Sequence, residues 1–260
     1  MIHLRRWLVL ATHELNILRR DPSVPLLLLV VPLLGTLIFR RTFDRVLLTL
    51  GHASSNGSEQ AIPGMAVTFG FFVVGMVGMS FFREHGIGTW DRLRLSSATT
   101  VDILIGRLLP YWLLSLAQLG LLLVVGVVVF GMEVEGSWVG IGLVTVAFSL
   151  SLVAFGMAGT ALLHSSQQAN ALSTFGSITF SGLAGGLVPL ATLPAALRAI
   201  APVSPSYWSM RGYRSLILDG TGIGGAVLPV VVLLSFVAGF SFLALLRFQV
   251  SAPKTSSWSA

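Results

Sequence analysis

Long apolar stretches separated by short polar segments dominate the pattern of this chain. Six of them lack charged residues for long enough to cross the hydrocarbon core of a bilayer. They cover residues 24–39, 62–82, 108–132, 137–163, 171–190 and 223–246. As an α-helix, the stretch 62–82 would be about 31 Å long, which matches the thickness of that core. The pattern therefore predicts an all-α membrane protein with six transmembrane helices.

Two further helical segments are predicted outside these spans. In residues 1–22, leucines and arginines recur at helical spacing, which is typical of an amphipathic helix lying in the membrane interface. The segment 191–218, between spans five and six, is too polar and too rich in proline to be a seventh crossing. We expect a short re-entrant or interfacial helix at 193–200, with Pro194 in its first turn and Pro202 ending it.

The basic residues of the loops orient the predicted spans. An even number of crossings puts both termini on one side of the membrane. When the loops are assigned alternately, that side receives ten basic residues and the other side receives six. The excess favours cytoplasmic termini, and the outer position of Glu133 and Glu135 agrees with this orientation. The tail, residues 251–260, is then also cytoplasmic.

Composition removes several classes of protein. Hydrophobic residues make up 54% of the 260 positions and charged residues only 10%, which is too little charge to coat a soluble globule. The net charge of +6 suits anionic lipid headgroups, whereas a nucleic-acid partner is not expected because the basic residues punctuate apolar segments. Without cysteine, and with no clear cluster of histidines and carboxylates, we predict neither a metal site nor a catalytic site.

The interiors of the apolar stretches contain no Asp, Glu, Lys or Arg. Carriers coupled to protons or sodium need such groups, or broken helices, to bind the coupling ion. The G-x-x-x-x-G-K-[ST] loop that binds ATP phosphates is also missing, and the G-x-G-x-x-G spelling at 220–225 has no preceding strand. A transporter of this kind must therefore draw its energy from another subunit; a passive pore, a scaffold or a lipid-facing subunit are the alternatives.

The richest polar segment is 83–97, in a loop predicted to be cytoplasmic. Gly86 and Gly88 end the preceding span, Thr89 can cap a short helix, and Trp90 gives that helix an apolar contact. Such a helix could dock into a cleft on a soluble partner. An interfacial helix anchored by Trp and Arg explains the same pattern equally well.

A second candidate region lies inside the spans. Gln118 sits near the middle of the third span with Ser115 one turn before it, and lipid cannot satisfy a polar amide, so it should face protein or a cavity. Four large side chains of the second span could form an adaptable apolar wall for hydrophobic substrates: Phe69, Phe72, Met76 and Met79. The alternatives are helix–helix association for Gln118 and ordinary packing or lipid contact for the other four.

Two segments of the chain resemble the ABC-2 type transporter permeases, especially the daunorubicin-resistance-like branch. Residues 82–109, which begin Phe-Arg-Glu-His-Gly-Ile-Gly-Thr-Trp-Asp-Arg, are similar to the first cytoplasmic loop of that family. Residues 186–207, which begin Gly-Leu-Val-Pro-Leu-Ala-Thr-Leu-Pro, are similar to its segment between spans five and six. With six spans and a basic N-terminal helix, the resemblance covers nearly the whole chain. It departs at Ser96-Ser97-Ala98, where many relatives have a proline.

The resemblance implies a six-span permease domain, 23–250, preceded by a connecting helix, 1–22. Two such units, identical or paired with a paralogous permease, would be clamped by two ATPase subunits that bind ATP and Mg. The outer re-entrant segment would be 191–218 and the cytoplasmic coupling segment 83–97. The residues expected to contact the ATPase are Glu84, Gly88, Thr89, Trp90, Asp91, Arg92, Leu93 and Arg94.

The function implied by the resemblance is export of a hydrophobic or amphipathic compound, such as a drug, antibiotic or lipid, across the cytoplasmic membrane. This chain would perform no covalent chemistry. Export of a polysaccharide or glycolipid by the same fold is one alternative, although the six tryptophans are scattered along the chain. A non-transporting membrane scaffold or immunity protein is another, and it predicts that changes at Trp90 or Arg92 leave activity intact.

Overall fold

A computed structural model of the protein describes residues 12, 16, 23–51, 55–87 and 100–247. In that part of the chain the fold is helical, without strands. The helices are α1 (Ser23–Thr49), α2 (Ser58–Gly70), α3 (Phe72–Ile87), α4 (Thr100–Val128), α5 (Trp138–Leu162), α6 (Ser166–Leu183), α7 (Ala195–Ile200), α8 (Pro205–Ile217) and α9 (Gly224–Arg247). Two 3₁₀ turns, Leu190–Thr192 and Ala201–Val203, flank α7. Thr12 and Asn16 are helical, whereas the rest of the predicted N-terminal helix and the tail lie outside the described residues.

Five stretches of helix are long and apolar enough to cross a membrane. They are Leu26–Thr49, Ser58–Arg83, Leu104–Val128, Trp138–Leu162 and Gly224–Arg247. These stretches correspond to predicted spans one, two, three, four and six. Helix α6 occupies the place of the fifth predicted span, but it is 18 residues long and is not among the five. The all-helical class is therefore confirmed, while the count of six crossings stays a prediction.

The predicted bounds of the first and third spans were wrong. α1 continues well beyond residue 39 and ends at Thr49, with Arg40, Asp44 and Arg45 inside the helix. α4 begins at Thr100, before the predicted 108, and includes the buried Asp102 and Arg107. A helix extends for as long as its backbone bonds are favourable, so the first charged residue does not mark its end.

The predicted bounds of the fifth span were also wrong, since α6 begins at Ser166 and ends at Leu183, whereas the prediction was 171–190. The Ser165 hydroxyl accepts a hydrogen bond from the backbone N–H of Gln168 at 3.3 Å, which caps the helix there. Helix α6 then ends at Leu183, two residues before Gly185, whose φ of 82° is the left-handed conformation that glycine tolerates. The polar segment 164–170, whose composition predicts a turn, thus contains the N-cap and the first turn of α6.

The second predicted span consists of two helices that are broken only at Phe71. The carbonyl of Phe71 accepts a hydrogen bond from the Val74 N–H at 3.0 Å and a second from the Ser173 hydroxyl at 2.9 Å. Phe71 is fully buried, so both bonds are formed away from solvent. The break therefore lies inside the protein, against α6.

Helix α6 runs antiparallel along α2 and α3. The Ser177 hydroxyl donates to the carbonyl of Thr68 at 2.6 Å, and the side chains of Thr68 and Ser181 share a hydrogen bond. Farther along, a Cβ atom on Gly78 would lie only 2.6 Å from the Cβ of Ala169. The serines that make α6 polar in composition are therefore turned towards protein, where their hydroxyls are satisfied.

The segments that follow α1, α4, α6 and α8 meet at one end of the bundle, which we call the Glu59 end. The Asn56 amide donates to the carbonyl of Gly131 at 2.8 Å, and a Glu59 carboxylate oxygen accepts from the Glu133 N–H at 3.2 Å. The Gln60 amide donates to the carbonyl of Gly185 at 2.6 Å. The backbone N–H of Glu135 donates to the carbonyl of Ile217 at 3.3 Å. These bonds bring the four segments together at one end of the bundle.

Helix α8 is anchored in the core at this end. Tyr213 is fully buried, and its hydroxyl lies 3.0 Å from the Thr145 hydroxyl of α5. A Cβ atom on Gly212 would come within 2.9 Å of Val144, so α8 and α5 are in close contact. Pro194 directly precedes α7, which begins at Ala195 and not at the predicted 193, and Pro202 lies in the 3₁₀ turn that follows the helix. The depth of α7 in the membrane stays a prediction.

Candidate functional site

An apolar groove of about 370 Å³ lies between α1 and α4. Six of the seven residues that line it are aliphatic, and the seventh is Gln118. The lining residues are Leu26, Leu28, Leu29, Leu114, Ala117, Gln118 and Leu121. The volume falls in the range of small-molecule sites, which are also mostly apolar with a few fixed polar groups.

A backbone carbonyl of α1, left without its helical donor by a proline, holds Gln118 in this groove. In a regular helix the carbonyl of Leu28 would accept from the N–H of residue 32, but Pro32 has no N–H. The Gln118 Nε2 group supplies the missing donor and reaches the Leu28 carbonyl at 3.3 Å. The side-chain nitrogen is therefore engaged by α1, which leaves the orientation of the amide fixed.

The other end of the same amide is unsatisfied. Gln118 is 5% exposed, and in the described part of the chain its Oε1 atom is buried without a hydrogen-bond partner. Leaving a buried acceptor unpaired costs about 1–3 kcal/mol. A ligand in the groove that carries a hydroxyl or amine donor would recover part of that free energy. The predicted placement of Gln118 against protein or a cavity is confirmed, since it faces both.

Ser115 provides a second unpaired group one turn earlier in α4. It is 0% exposed, and its hydroxyl also has no hydrogen-bond partner among the described residues. Residues three apart are neighbours on a helix surface, so Ser115 and Gln118 form one polar spot on α4. Ser115 does not itself line the groove.

The four predicted apolar path residues lie on a different surface. The rings of Phe69 and Phe72 stack with centroids 5.6 Å apart, and Phe72 and Met79 are exposed. Phe69 is partly buried, and Met76 packs against the core cluster that contains Tyr111. The structure therefore brings these four residues to one face of α2 and α3, but none of them lines the groove at Gln118.

Most of the predicted coupling segment falls outside the described residues. This holds for Gly88, Thr89, Trp90, Asp91, Arg92, Leu93 and Arg94, while Glu84 lies in the last turn of α3 without a described side chain. The helices that flank the segment are joined by the buried Arg107, whose guanidinium lies 5.2 Å from the ring centroid of Phe81. Arg107 had been assigned to the loop, but it belongs to α4.

The sequence reasoning missed the role of the segment 56–59. Asn56-Gly57-Ser58 matches the N-x-[ST] acceptor pattern of N-glycosylation, and the sequence alone assigns it no role. In the structure Asn56 Oδ1 accepts from the Ser58 N–H at 3.0 Å, and Glu59 Oε2 accepts from the Asn56 N–H at 3.1 Å. This reciprocal pair resembles a capping box placed one residue before Gly57, the N-cap of α2, and an Asn followed three residues later by Glu was the available signal.

Residues 38–246 match the family model described as ABC-2 family transporter protein. The matched region runs from the second half of α1 to the end of α9, and it includes the broken helix, the polar spot on α4 and the predicted coupling segment.

The chain belongs to the ABC-2 transporter family.

Curated relatives agree with this assignment. The chain is 27% identical over 165 residues to the probable multidrug ABC transporter permease YbhS of Escherichia coli (strain K12), which is 61% of this chain and 43% of that protein. It is 30% identical over 142 residues to YbhR of the same strain, 54% of this chain and 38% of the relative. It is 25% identical over 186 residues to the linearmycin resistance permease protein LnrN of Bacillus subtilis (strain 168), 72% of this chain and 48% of the relative. The chain thus spans less than half of each relative's length.

As an ABC-2 permease, the chain is a multi-pass membrane protein. The resemblance drawn from 82–109 and 186–207 is confirmed at the level of the family. The site residues transferred through that resemblance are not tested by the family match, so their roles stay predictions.

Proposed function

We propose that this chain is the transmembrane permease subunit of an ATP-binding cassette exporter. It moves a hydrophobic or amphipathic compound, such as a drug, antibiotic or lipid, out across the cytoplasmic membrane. A separate ATPase subunit supplies the energy. The observation that carries the proposal is the α1/α4 groove, in which apolar walls surround one unpaired acceptor. The printed names of YbhS, YbhR and LnrN, which refer to multidrug transport and antibiotic resistance, support the class of cargo.

In this proposal α6 makes the fifth of six crossings. It contacts α2 and α3 between Thr68 and Gly78, alongside a stretch of helix that is long enough to cross, and this contact supports the proposal. Its inward serines explain why composition alone does not mark it as a span. Six crossings put both termini on one side, and the excess of basic residues on that side makes it the cytoplasmic one.

The partners in this proposal are two ATPase subunits and a second permease, either an identical copy or a paralogue. ATP and Mg bind to the ATPase subunits. The segment 83–97 transmits their closure to α3 and α4, which flank it on either side. This motion biases the permease pair between two conformations, as any ligand-driven switch requires.

The character of the groove favours a drug-like or lipid-like cargo over a polysaccharide. Sugars are usually bound against aromatic rings, and no aromatic residue is among the seven that line the groove. A small amphipathic molecule with one donor group fits the single acceptor of Gln118.

Replacing Gln118 with leucine is expected to slow transport without unfolding the protein. The leucine keeps the bulk of the side chain but removes the acceptor, so a cargo that donates to Oε1 loses about 1–1.5 kcal/mol of binding. This loss corresponds to roughly a tenfold lower rate below saturation. The measurement is uptake of daunorubicin, a fluorescent amphipathic drug with hydroxyl and amine donors, into inverted proteoliposomes that contain the permease and its ATPase.

Gln167→Leu is the matched control, because Gln167 is exposed in the first turn of α6. It should leave uptake unchanged. If Gln118 only joins α4 to α1, Gln118→Leu will lower the thermal-unfolding midpoint while the folded fraction transports normally. That result would remove the groove from the transport path.

A further inference from the structure

A second cavity, of about 320 Å³, lies at the Glu59 end between α8 and the junction of α2 with the turn after α6. Unlike the α1/α4 groove, it is bordered by many polar groups. The polar residues that line it are Gln60, Tyr207, Arg211, Arg214, Ser215 and Asp219. We call it the arginine cavity.

The arginines are presented to this cavity by the amphipathic character of α8. Tyr207, Arg211 and Arg214 are spaced four and three residues apart, so they share one face of the helix. The opposite face carries the buried Tyr213 and the close approach of Gly212 to α5. Rotating α8 would expose that core face, so the guanidinium groups are held at the cavity by the packing behind them.

The cations of the cavity outnumber its anions. Asp219 is the carboxylate among the lining residues, against two guanidinium groups. Within the described ranges, neither Arg211 nor Arg214 forms an ion pair. Arg211 instead lies over the ring of Trp208, with 5.3 Å between Cζ and the ring centroid.

The neighbouring carboxylates are engaged or lie outside the lining. Glu59 accepts hydrogen bonds from the Asn56 N–H, the Ser58 hydroxyl and the Glu133 N–H. Glu135 lies beside Gly220 and does not line the cavity. Within the described structure, Asp219 is thus the one carboxylate of the lining that offsets the two arginines, which leaves an excess of one positive charge.

We propose that the arginine cavity is an anion-binding site that takes the phosphate or carboxylate headgroup of an amphiphile. Guanidinium groups bind both anions through two parallel hydrogen bonds, and Tyr207 adds a hydroxyl donor at the same wall, whereas the Ser215 hydroxyl donates to the carbonyl of Gly212 at 3.0 Å. Partial exclusion of water strengthens such charged hydrogen bonds. The inference goes beyond transport, because binding requires neither ATP nor the ATPase subunit.

The test is native mass spectrometry of the purified full-length chain with phosphatidylglycerol and, separately, with phosphatidylcholine. Wild-type protein is expected to retain phosphatidylglycerol in preference. Arg214→Gln and Arg211→Gln should each weaken its retention by about tenfold, whereas Arg214→Lys should restore part of it. Using two positions keeps the test decisive if one variant does not fold.

Arg198→Gln is the matched control, since it removes the same charge from the exposed surface of α7 at the same end of the molecule. It should retain phosphatidylglycerol like the wild type. Competition by inorganic phosphate would assign the site to a free anion, and failure of phosphate to compete would assign it to a lipid headgroup. Equal losses in Arg198→Gln and Arg214→Gln, or equal retention of the two lipids by the wild type, would overturn the proposal.

Discussion

Replacing Gly64 with alanine is expected to destabilise this permease strongly. A Cβ atom at Gly64 would overlap the carbonyl oxygen of Gly186, which is backbone and cannot rotate away. Two hydrogen bonds hold the turn that carries this carbonyl. The Gly186 N–H donates to the Ser181 carbonyl at 2.9 Å, and the Gln60 amide donates to the Gly185 carbonyl. Either α2 or α6 must therefore move.

The movement would disturb the hydrogen bonds between these helices, including those that join Thr68 to Ser177 and Ser181. Overpacking of this kind costs about 1–3 kcal/mol, and buried hydroxyls that lose their partners add a similar amount. We expect a loss of about 3 kcal/mol and a thermal-unfolding midpoint lower by about 6 °C or more. The measurement is thermal unfolding of the purified protein in detergent, followed by scattering and intrinsic fluorescence.

Gly142→Ala makes the matched comparison. Gly142 lies on the exposed face of α5, and an added Cβ would meet no atom within 4 Å. Alanine is the better helix former by about 1 kcal/mol, so this variant should unfold at the wild-type temperature or slightly above it. Equal midpoints for the two alanine variants would contradict the close contact between α2 and the turn after α6.

The second large effect is expected at the predicted coupling segment. Trp90→Ala and Arg92→Ala should each abolish most ATP-driven transport while leaving the permease inserted at its normal level. Trp and Arg that anchor an interface often contribute about 2 kcal/mol or more, which corresponds to roughly thirtyfold weaker association with the ATPase. Transport in proteoliposomes and co-purification of the two subunits measure the two halves of this expectation.

Trp138→Ala controls for the loss of a large exposed ring. Trp138 is 53% exposed and begins α5 at the Glu59 end, opposite the end of α3 at Ile87 and the start of α4 at Thr100. It should leave transport and co-purification unchanged. A membrane scaffold or immunity protein predicts that the activity of the Trp90 and Arg92 variants also stays intact, and that outcome would remove the segment's role in coupling.

The spans that hydropathy predicted well are those without a charged residue inside the helix. α5 was predicted within one residue at each end, because it has no internal charge and Ser137 caps it by accepting from the Gly140 N–H at 3.2 Å. The start of α6 was misplaced because Gln167, Gln168 and Asn170 are typical of a loop, whereas Ser165 caps the helix before them. Its buried serines donate to a carbonyl of α2 and to that of Phe71. The composition of one helix carries no record of the carbonyls on its neighbours.

Single residues show the same limit. Gln118 was expected to face protein or a cavity, but its bond to Leu28 follows from Pro32, and only the packing of α1 on α4 joins the two facts. Gly182 and Gly186 are four residues apart, a spacing that predicts one face of a helix in close contact with its neighbour, and this prediction is wrong. Gly186 lies beyond the end of α6 and contacts Gly64, while a Cβ on Gly182 would meet nothing within 4 Å.

The proposed dependence of this permease on a separate ATPase is tested by measuring phosphate release together with drug uptake. The purified chain is reconstituted alone, with its ATPase subunit, and with an ATPase variant that cannot hydrolyse ATP. We expect ATP hydrolysis and drug uptake to occur together, and only with the active ATPase. Robust ATP hydrolysis or ATP-dependent uptake by the chain alone would contradict it.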